Sequence, residues 1–383
     1  MIEKRWNPWQ HFDYVLLVSA LLLTGYGVVM VYSATLADSP KDTPFFSTFS
    51  GHQAVFAAAG VALLIVFTLA DAKLIKAAGY PIYVLNLLLL LAVAAIGIRS
   101  HGAQRWIDIA FFRFQPSELA KLLVILAVAK FFSDNQDRLQ HFRYVLLSLA
   151  LVLIPVGLVF VQPDLGTGMV LLAIWLGMAV LAGVRLVHLG VLGAGALLVA
   201  PVAWQFMKDY QRSRLLIFLN PESDPSGEGY NMIQSRISVG SGGWLGQGFA
   251  HGTQSQLDFL KVQHTDFIFA VLGEELGFLG ALALFLLFIV LLFRIVRCAA
   301  VQKDVFGRTF AAGVASMILF QVFINVGMTI GLMPVTGIPL PLISYGSSNL
   351  LTTLMAFGLL QSLVTRSQRS AWDGYSSGQR LVA

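Results

Sequence analysis

The string His264-Thr265-Asp266-Phe267-Ile268-Phe269 stands where a polar stretch, 208–266, runs into an apolar one, 267–293. The apolar side is long enough to cross about 30 Å of hydrocarbon as a helix, and similar runs recur along the chain. Of the 383 residues, 57% are hydrophobic and 12% charged, against about 25% charged in soluble domains. The chain therefore reads as an all-α, polytopic integral membrane protein with no soluble second domain. Cys298 is its single cysteine, which excludes an internal disulfide and a cysteine metal cluster. The run 15–34 is a full-length span followed by many others, so it reads as a retained first helix and not as a cleaved signal.

About ten spans are expected, near 15–34, 54–70, 82–98, 117–132, 144–161, 165–184, 186–207, 267–293, 309–333 and 346–365. The long loop 208–266 then falls between the seventh and eighth. The whole of 1–383 reads as one membrane domain, ending in a tail at 367–383. Basic residues concentrate in cytoplasmic loops. Fifteen of the 25 Lys and Arg fall on one set of ends and loops, among them Lys4, Arg5, Lys73, Lys76, Arg294 and Arg297. The short loops of the other side hold Lys41, Arg99, Arg105 and Arg113. Both termini are therefore expected in the cytoplasm. The net charge of +5 reflects this asymmetry, and nucleic acid is not expected as a partner.

On that topology four polar clusters share the outer face. Gln115-Pro116-Ser117-Glu118-Leu119-Ala120-Lys121 opens the fourth span, and Gln162-Pro163-Asp164-Leu165-Gly166-Thr167 turns between the fifth and sixth. Asp266 ends the long loop, and 334–348 precedes the last span. Glu118 and Lys121, at i and i+3, can pair on one helical face. Locally they read either as a salt bridge that locks the helix or as a cavity-lining cation that meets a phosphate. Asp164 reads as a cap for the sixth span or as a chemical group. Asp266 has two readings as well: a helix cap, or a general base, which needs an ionised carboxylate within reach of the proton that it takes.

Glu274 and Glu275 lie about 12–13 Å further along the helix and are rotated by about 80° and 180° from Asp266, too far to pair with it. They are expected to be buried, and paired or protonated, in the bundle. The Gly-, Ser- and Gln-rich loop 208–266 reads as flexible or functional. Trp244 reads as a sugar-stacking ring or as an interfacial anchor. Pro334, Pro339 and Pro341 break regular helix before the last span, which is tolerated where backbone lines a cavity or is buried in protein. No histidines have metal-ligand spacing, and His264 draws interest as the neighbour of Asp266.

Taken together, Arg105-Trp106-Ile107, Gln115-Pro116-Ser117-Glu118, Gln162-Pro163-Asp164-Leu165-Gly166-Thr167, Gly252-Thr253-Gln254-Ser255-Gln256 and His264-Thr265-Asp266-Phe267-Ile268-Phe269-Ala270 resemble the signature strings of the SEDS family (shape, elongation, division, sporulation). The likeness runs from 12 to about 366. Gly331-Leu332-Met333-Pro334-Val335-Thr336-Gly337-Ile338-Pro339-Leu340-Pro341 resembles its elongation branch, the RodA type; the division branch usually has Thr-Lys-Gly-Leu-Thr in that region. The resemblance implies a peptidoglycan glycosyltransferase that polymerises lipid II at the outer face of the bacterial cytoplasmic membrane, extending a polyprenyl-pyrophosphate-linked glycan. It implies Asp266 as the essential aspartate and general base, with Arg105, Glu118, Lys121, Asp164, His264 and Ser344 as substrate-binding residues. Implied partners are a class B penicillin-binding protein and other elongation-complex membrane proteins. A divalent cation, Mg2+ or Mn2+, is compatible, with no ligand set assigned. Two other classes remain open: a lipid II flippase or other transporter, and a non-catalytic scaffold of a cell-wall synthase. The chain departs from the family pattern at Lys261-Val262, where Pro-Glu is usual, and at Ser347, where a glycine is usual and positive φ becomes restricted.

Overall fold

The computed structural model describes residues 12–37, 44–100, 103–109, 112–257, 259–260 and 263–380. Lys4, Arg5, Lys41 and the Lys261-Val262 departure lie outside the described residues.

Asp13 opens α1 (Tyr14–Ala34) by accepting the Leu16 N–H at 3.0 Å, which satisfies one of the free donors at a helix start. Thr48 does the same for α2 (Phe49–Leu69). A short α3 (Ala72–Ala77) turns the chain into α4 (Gly79–Ile96). Then comes a departure from the all-α expectation. β1 (Ile98–Ser100), β2 (Ala103–Ile109) and β3 (Phe112–Phe114) form an antiparallel ribbon in the order β1-β2-β3. Trp106, Ile107 and Ile109 are strand-favouring residues.

Next are α5 (Pro116–Asp134), α6 (Phe142–Val161), α7 (Leu165–Leu181) and α8 (Leu186–Phe206). The loop that follows is not structureless, for it carries α9 (Asp209–Leu219), α10 (Glu228–Ser241) and α11 (Thr253–Gln256). The chain ends in α12 (Ile268–Val301), α13 (Val305–Thr329) and α14 (Ser347–Arg380).

Among the described residues six helices are long and apolar enough to cross a membrane: α1, α2, α6, α12, α13 and the Ser347–Arg366 part of α14. Shorter apolar helices cover Gly79–Ala95, Leu165–Leu181 and Leu186–Val202. The helix α5 is of another kind. It carries Glu118, Lys121, Lys130 and Asp134, yet every residue from 120 to 129 is buried. It runs through the middle of the bundle, packed by α4, α6, α7, α13 and α14, so it has no apolar face to turn to lipid and can carry charges at its ends. The outer helices do the opposite. α8 stays exposed along most of its length, with Leu197 at 77% and Leu198 at 80%, a surface that suits lipid and not water.

One glycine shapes the loop. Gly277 has φ 63 and ψ −159 and breaks α12 after its first nine residues. A Cβ there would collide with the backbone of Leu245 and Gly246. The break frees backbone groups, and 243–248 takes them up: Gln247 N and Gly248 N donate to the Glu274 and Glu275 carbonyls at 2.9 and 3.0 Å, while Phe278 N donates to the Gly243 carbonyl at 2.9 Å. The side chains of Glu274 and Glu275 are fully buried at this junction. Gln254 N and Thr253 Oγ1 donate to Glu274 at 2.8 and 3.2 Å, and Ser33 Oγ donates to Glu275 at 2.7 Å. The two carboxylates therefore pin α11 and α1 to the broken helix.

Candidate active site

Four helices, α5, α7, α12 and α14, begin around one cavity of about 330 Å³. Helix N-termini present free N–H groups and partial positive charge, so their convergence suits an anionic ligand. β2 contributes Arg105 and Trp106, and the start of α5 contributes Gln115 and Glu118. Asp164 and Thr167 come from the start of α7, Thr265 and Asp266 from the approach to α12, and Arg214 from α9. Thr336, Gly337 and Pro339 line it from the irregular segment before α14, followed by Tyr345 through Asn349. The four polar clusters of the sequence thus meet in space.

The three carboxylates of this cavity are held differently. Asp164 caps α7 through Oδ1, which accepts from Thr167 N at 3.2 Å. Its Oδ2 accepts from Thr167 Oγ1 at 2.9 Å and Ser117 Oγ at 3.2 Å, tying the turn to α5. Arg105 adds to that lock: its Nε donates to the Gln162 carbonyl at 3.1 Å, its Nη2 to the Pro163 carbonyl, and its Nη1 faces Asp164 Oδ1 at 4.0 Å. Glu118 Oε2 accepts from Lys121 Nζ at 2.6 Å and from Asn349 Nδ2 at 2.7 Å, so it joins α5 to α14.

Asp266 is the contrast. No hydrogen bond reaches its carboxylate from any described residue, and it does not cap α12, whose N-cap is Phe267 without a side-chain bond. Protein encloses it except on the cavity side. Burial pushes its carboxyl up to about 6, with Glu228 adding to the rise, Arg214 and Arg105 opposing it, and Asp164 adding a smaller rise. Such a group is ionised at neutral pH and still more basic than an ordinary carboxylate, as a general base should be. Its backbone is firmly held. Asn325 Nδ2 donates to the Asp266 carbonyl at 3.0 Å and to the Ile338 carbonyl at 2.8 Å. Gly337 lies opposite with φ +74, a left-handed backbone that favours glycine, and a Cβ there would stand in ordinary contact, 3.6 Å from Asp266 Oδ2.

Of the residues singled out from sequence, Asp266, Arg105, Glu118 and Asp164 line the cavity, and Lys121, His264 and Ser344 stand behind it. Lys121 is buried against Glu118 and does not open to the cavity. His264 stacks on Phe49 at 4.8 Å and meets Tyr345 edge-on at 5.8 Å. Ser344 Oγ donates to the Thr265 carbonyl at 2.6 Å and accepts from Leu340 N at 2.8 Å. Both therefore position the backbone that carries Asp266. Trp244 is 73% exposed beside Phe278, away from the cavity, which leaves the anchor reading. Ser347 begins α14 in helical conformation, so serine in place of glycine imposes no positive-φ strain. Arg214 and Asn349 were missed. Asn349 follows directly on the Ser347-Ser348 pair, but Gln211-Arg212-Ser213-Arg214 reads as nothing more than a basic helix face. A second, larger cavity of about 950 Å³ runs between α7, α12 and α13, with Ser316 as its one polar side chain and no titratable group.

Residues 13–369 match the FtsW/RodA/SpoVE family, described as cell cycle protein. The chain is 41% identical over 359 residues to peptidoglycan glycosyltransferase MrdB of Escherichia coli strain K12, covering 93% of this chain and 94% of that one. It is 39% identical over 372 residues to stage V sporulation protein E of Bacillus subtilis strain 168, covering 94% and 98%. Among solved structures it resembles a chain from work on the structural coordination of polymerization and crosslinking by a peptidoglycan synthase complex. There the TM-score is 0.80 and the identity 34%, covering 94% of this chain and 99% of that one. It also resembles rod shape determining protein RodA of Thermus thermophilus, with a TM-score of 0.69 and 30% identity over 94% and 98%. A match over nearly the whole length, in sequence and in fold, means that the chain belongs to the FtsW/RodA/SpoVE family, the SEDS family that its motifs resemble.

Proposed function

We propose that this chain is a peptidoglycan glycosyltransferase that polymerises lipid II into glycan strands during cell elongation, with Asp266 as its general base. One observation carries the choice of base: of the three cavity carboxylates, Asp266 has no hydrogen bond from a described residue, whereas Asp164 and Glu118 are each locked. The 4-hydroxyl of the acceptor's N-acetylglucosamine attacks the donor's anomeric carbon as Asp266 takes its proton. The bond from that carbon to the pyrophosphate oxygen breaks, the electron pair leaves with the pyrophosphate–lipid, and configuration inverts. A sugar hydroxyl is a weak nucleophile, and a positioned base supplies roughly 10²–10⁴-fold. Pyrophosphate leaves without needing a proton, so the site must stabilise its charge. Glu118 and Asp164 act as positioning residues that fix the walls.

The chain spans the cytoplasmic membrane ten times, α5 included, as one domain with both termini and the tail in the cytoplasm. The cavity then opens at the outer face, where lipid-linked sugars have their heads. A transport site would be expected near the midplane, between repeats. A cavity at the end of the bundle supports synthesis instead. A class B penicillin-binding protein works beside it and cross-links the product. No group of three or more His, Cys, Asp or Glu that could hold a metal ion occurs among the described residues. A Mg2+ or Mn2+ ion would arrive on the substrate's phosphates, as Mg2+ commonly does.

The test is polymerisation of labelled lipid II by the purified chain with its cognate partner, wild type against Asp266→Asn, in Mg2+ or Mn2+. Glycan ladders from wild type, reduced roughly 10²–10⁴-fold or more in the variant, are the expected result. Equal ladders from a folded variant move the base elsewhere, and no ladder from an intact wild-type complex reopens the transporter and scaffold readings.

A further inference from the structure

Breaking a sugar–pyrophosphate bond calls for a cation at the departing oxygens, and the two cations that the motifs single out are committed elsewhere. Lys121 is buried against Glu118 behind the cavity wall. Arg105 reaches the cavity, but Nε and Nη2 donate to the carbonyls of Gln162 and Pro163 and Nη1 faces Asp164. Its guanidinium is a clamp on the 162–164 turn. Arg214 differs. It enters the same cavity from α9, and its one polar partner among the described residues is Glu228, the first residue of α10, 3.3 Å from Nη2. A guanidinium has five N–H donors in a fork that matches phosphate oxygens, so most of its capacity is unused. The Arg214–Glu228 pair is 26% and 36% exposed, a setting in which an ion pair adds little and yields easily to a stronger anion.

We propose that Arg214 is the phosphate-binding residue of this site: its guanidinium takes a lipid-linked pyrophosphate, and Glu228 keeps it turned toward the cavity. The assignment rests on reading the cavity as the site of lipid II polymerisation. Several features of the fold favour it. Arg214 and Asp266 line one small cavity, so a pyrophosphate on the first leaves the attached sugar close to the second. The convergent starts of α5, α7, α12 and α14 add partial positive charge on the same side. As the bond to the anomeric carbon breaks, the electron pair moves onto the pyrophosphate oxygen. A bidentate guanidinium stabilises it there and keeps its own proton. Arginine at this position also offers what the buried Lys121 lacks, a cation that opens to the cavity and whose one ion pair is partly exposed.

The experiment measures binding by the full chain with its partner in lipid nanodiscs, using undecaprenyl pyrophosphate, undecaprenol and inorganic pyrophosphate as probes. Arg214→Gln is expected to weaken undecaprenyl pyrophosphate roughly 10–100-fold and to leave undecaprenol unchanged. Arg214→Lys should recover part of the loss, since it restores the charge without the fork. Unchanged binding of undecaprenyl pyrophosphate by Arg214→Gln overturns the proposal. So does an equal loss for undecaprenol, which would mark a structural role. Inorganic pyrophosphate bound as tightly as the lipid form, and dependent on Arg214, would overturn the lipid-linked assignment. Failure of the polymerase reading looks different: wild type then makes no glycan and binds no undecaprenyl pyrophosphate, and the assignment falls with it.

Discussion

Asp266 carries its proton to about pH 6, a region where an ordinary aspartate is almost fully ionised. A general base works only when ionised, so the sign is fixed. Lipid II polymerisation at sub-saturating substrate should fall on the acid side of about pH 6, by roughly tenfold per unit once the carboxyl is mostly protonated. Glu228 adds to the rise by its negative charge, so Glu228→Gln should move this acid limb to lower pH. A limb unmoved by Glu228→Gln would show that another group limits the rate, and one lying near pH 4 in wild type would show that the Asp266 carboxyl is not raised. At this scale the sequence was informative about residue type and silent about direction. Asp266, Asp164 and Glu118 stand in strings that mark them as polar groups at helix starts, yet each string alone leaves a structural and a chemical reading open. Lys121 and His264 stand in the same strings as Glu118 and Asp266, and Ser344 in the 334–348 segment, but their side chains do not line the cavity, and a linear string does not show which way a side chain faces. Arg214 has no local signal at all; the fold of α9 against the bundle is what brings it to the cavity.

The break in α12 decides how the long loop is held. With φ 63 and ψ −159, Gly277 lies where only glycine is at ease, and a methyl group would strike the backbone of Leu245 and Gly246. Gly277→Ala should therefore cost on the order of 1–3 kcal/mol in strain, before any loss of the bonds that 243–248 makes to the broken helix. Thermal unfolding in detergent should show a lower midpoint, and limited proteolysis should cut faster between 242 and 250. A variant as stable and as protected as wild type would mean that the loop is held by other contacts. Composition left 208–266 open as flexible or functional because it is rich in Gly, Ser and Gln. Those residues are the ones that allow close backbone approach: Gly246 N donates to Gly242 O at 2.8 Å, and Gln247 and Gly248 reach the freed carbonyls of Glu274 and Glu275. The β-ribbon was missed for a related reason. Arg105-Trp106-Ile107 invites a chemical reading, and β1 and β3, at three residues each, are too short for a period of two to stand out beside β2.

The spans were legible where a helix faces lipid, because burial in hydrocarbon leaves a continuous apolar run. The helix α5, expected as the fourth span, packs protein on every side and so carries Glu118 and Lys121 at one end and Lys130 and Asp134 at the other. Orientation depends on charge rather than on length. The basic excess on one set of loops predicts that the turn between α5 and α6 is cytoplasmic and that α9–α11 lie outside. Cys298 is buried and can be replaced by serine to give a cysteine-free background. Single cysteines at the exposed positions Asp137 and Glu222 then report the two sides. A membrane-impermeant maleimide should label Glu222→Cys in intact cells and Asp137→Cys only after permeabilisation. The reverse pattern would put the starts of α5, α7, α12 and α14, and with them Asp266 and Arg214, on the cytoplasmic side. An enzyme facing that way could not act on lipid-linked sugars after they cross the membrane, so the polymerase reading stands or falls on the same two labels as the topology.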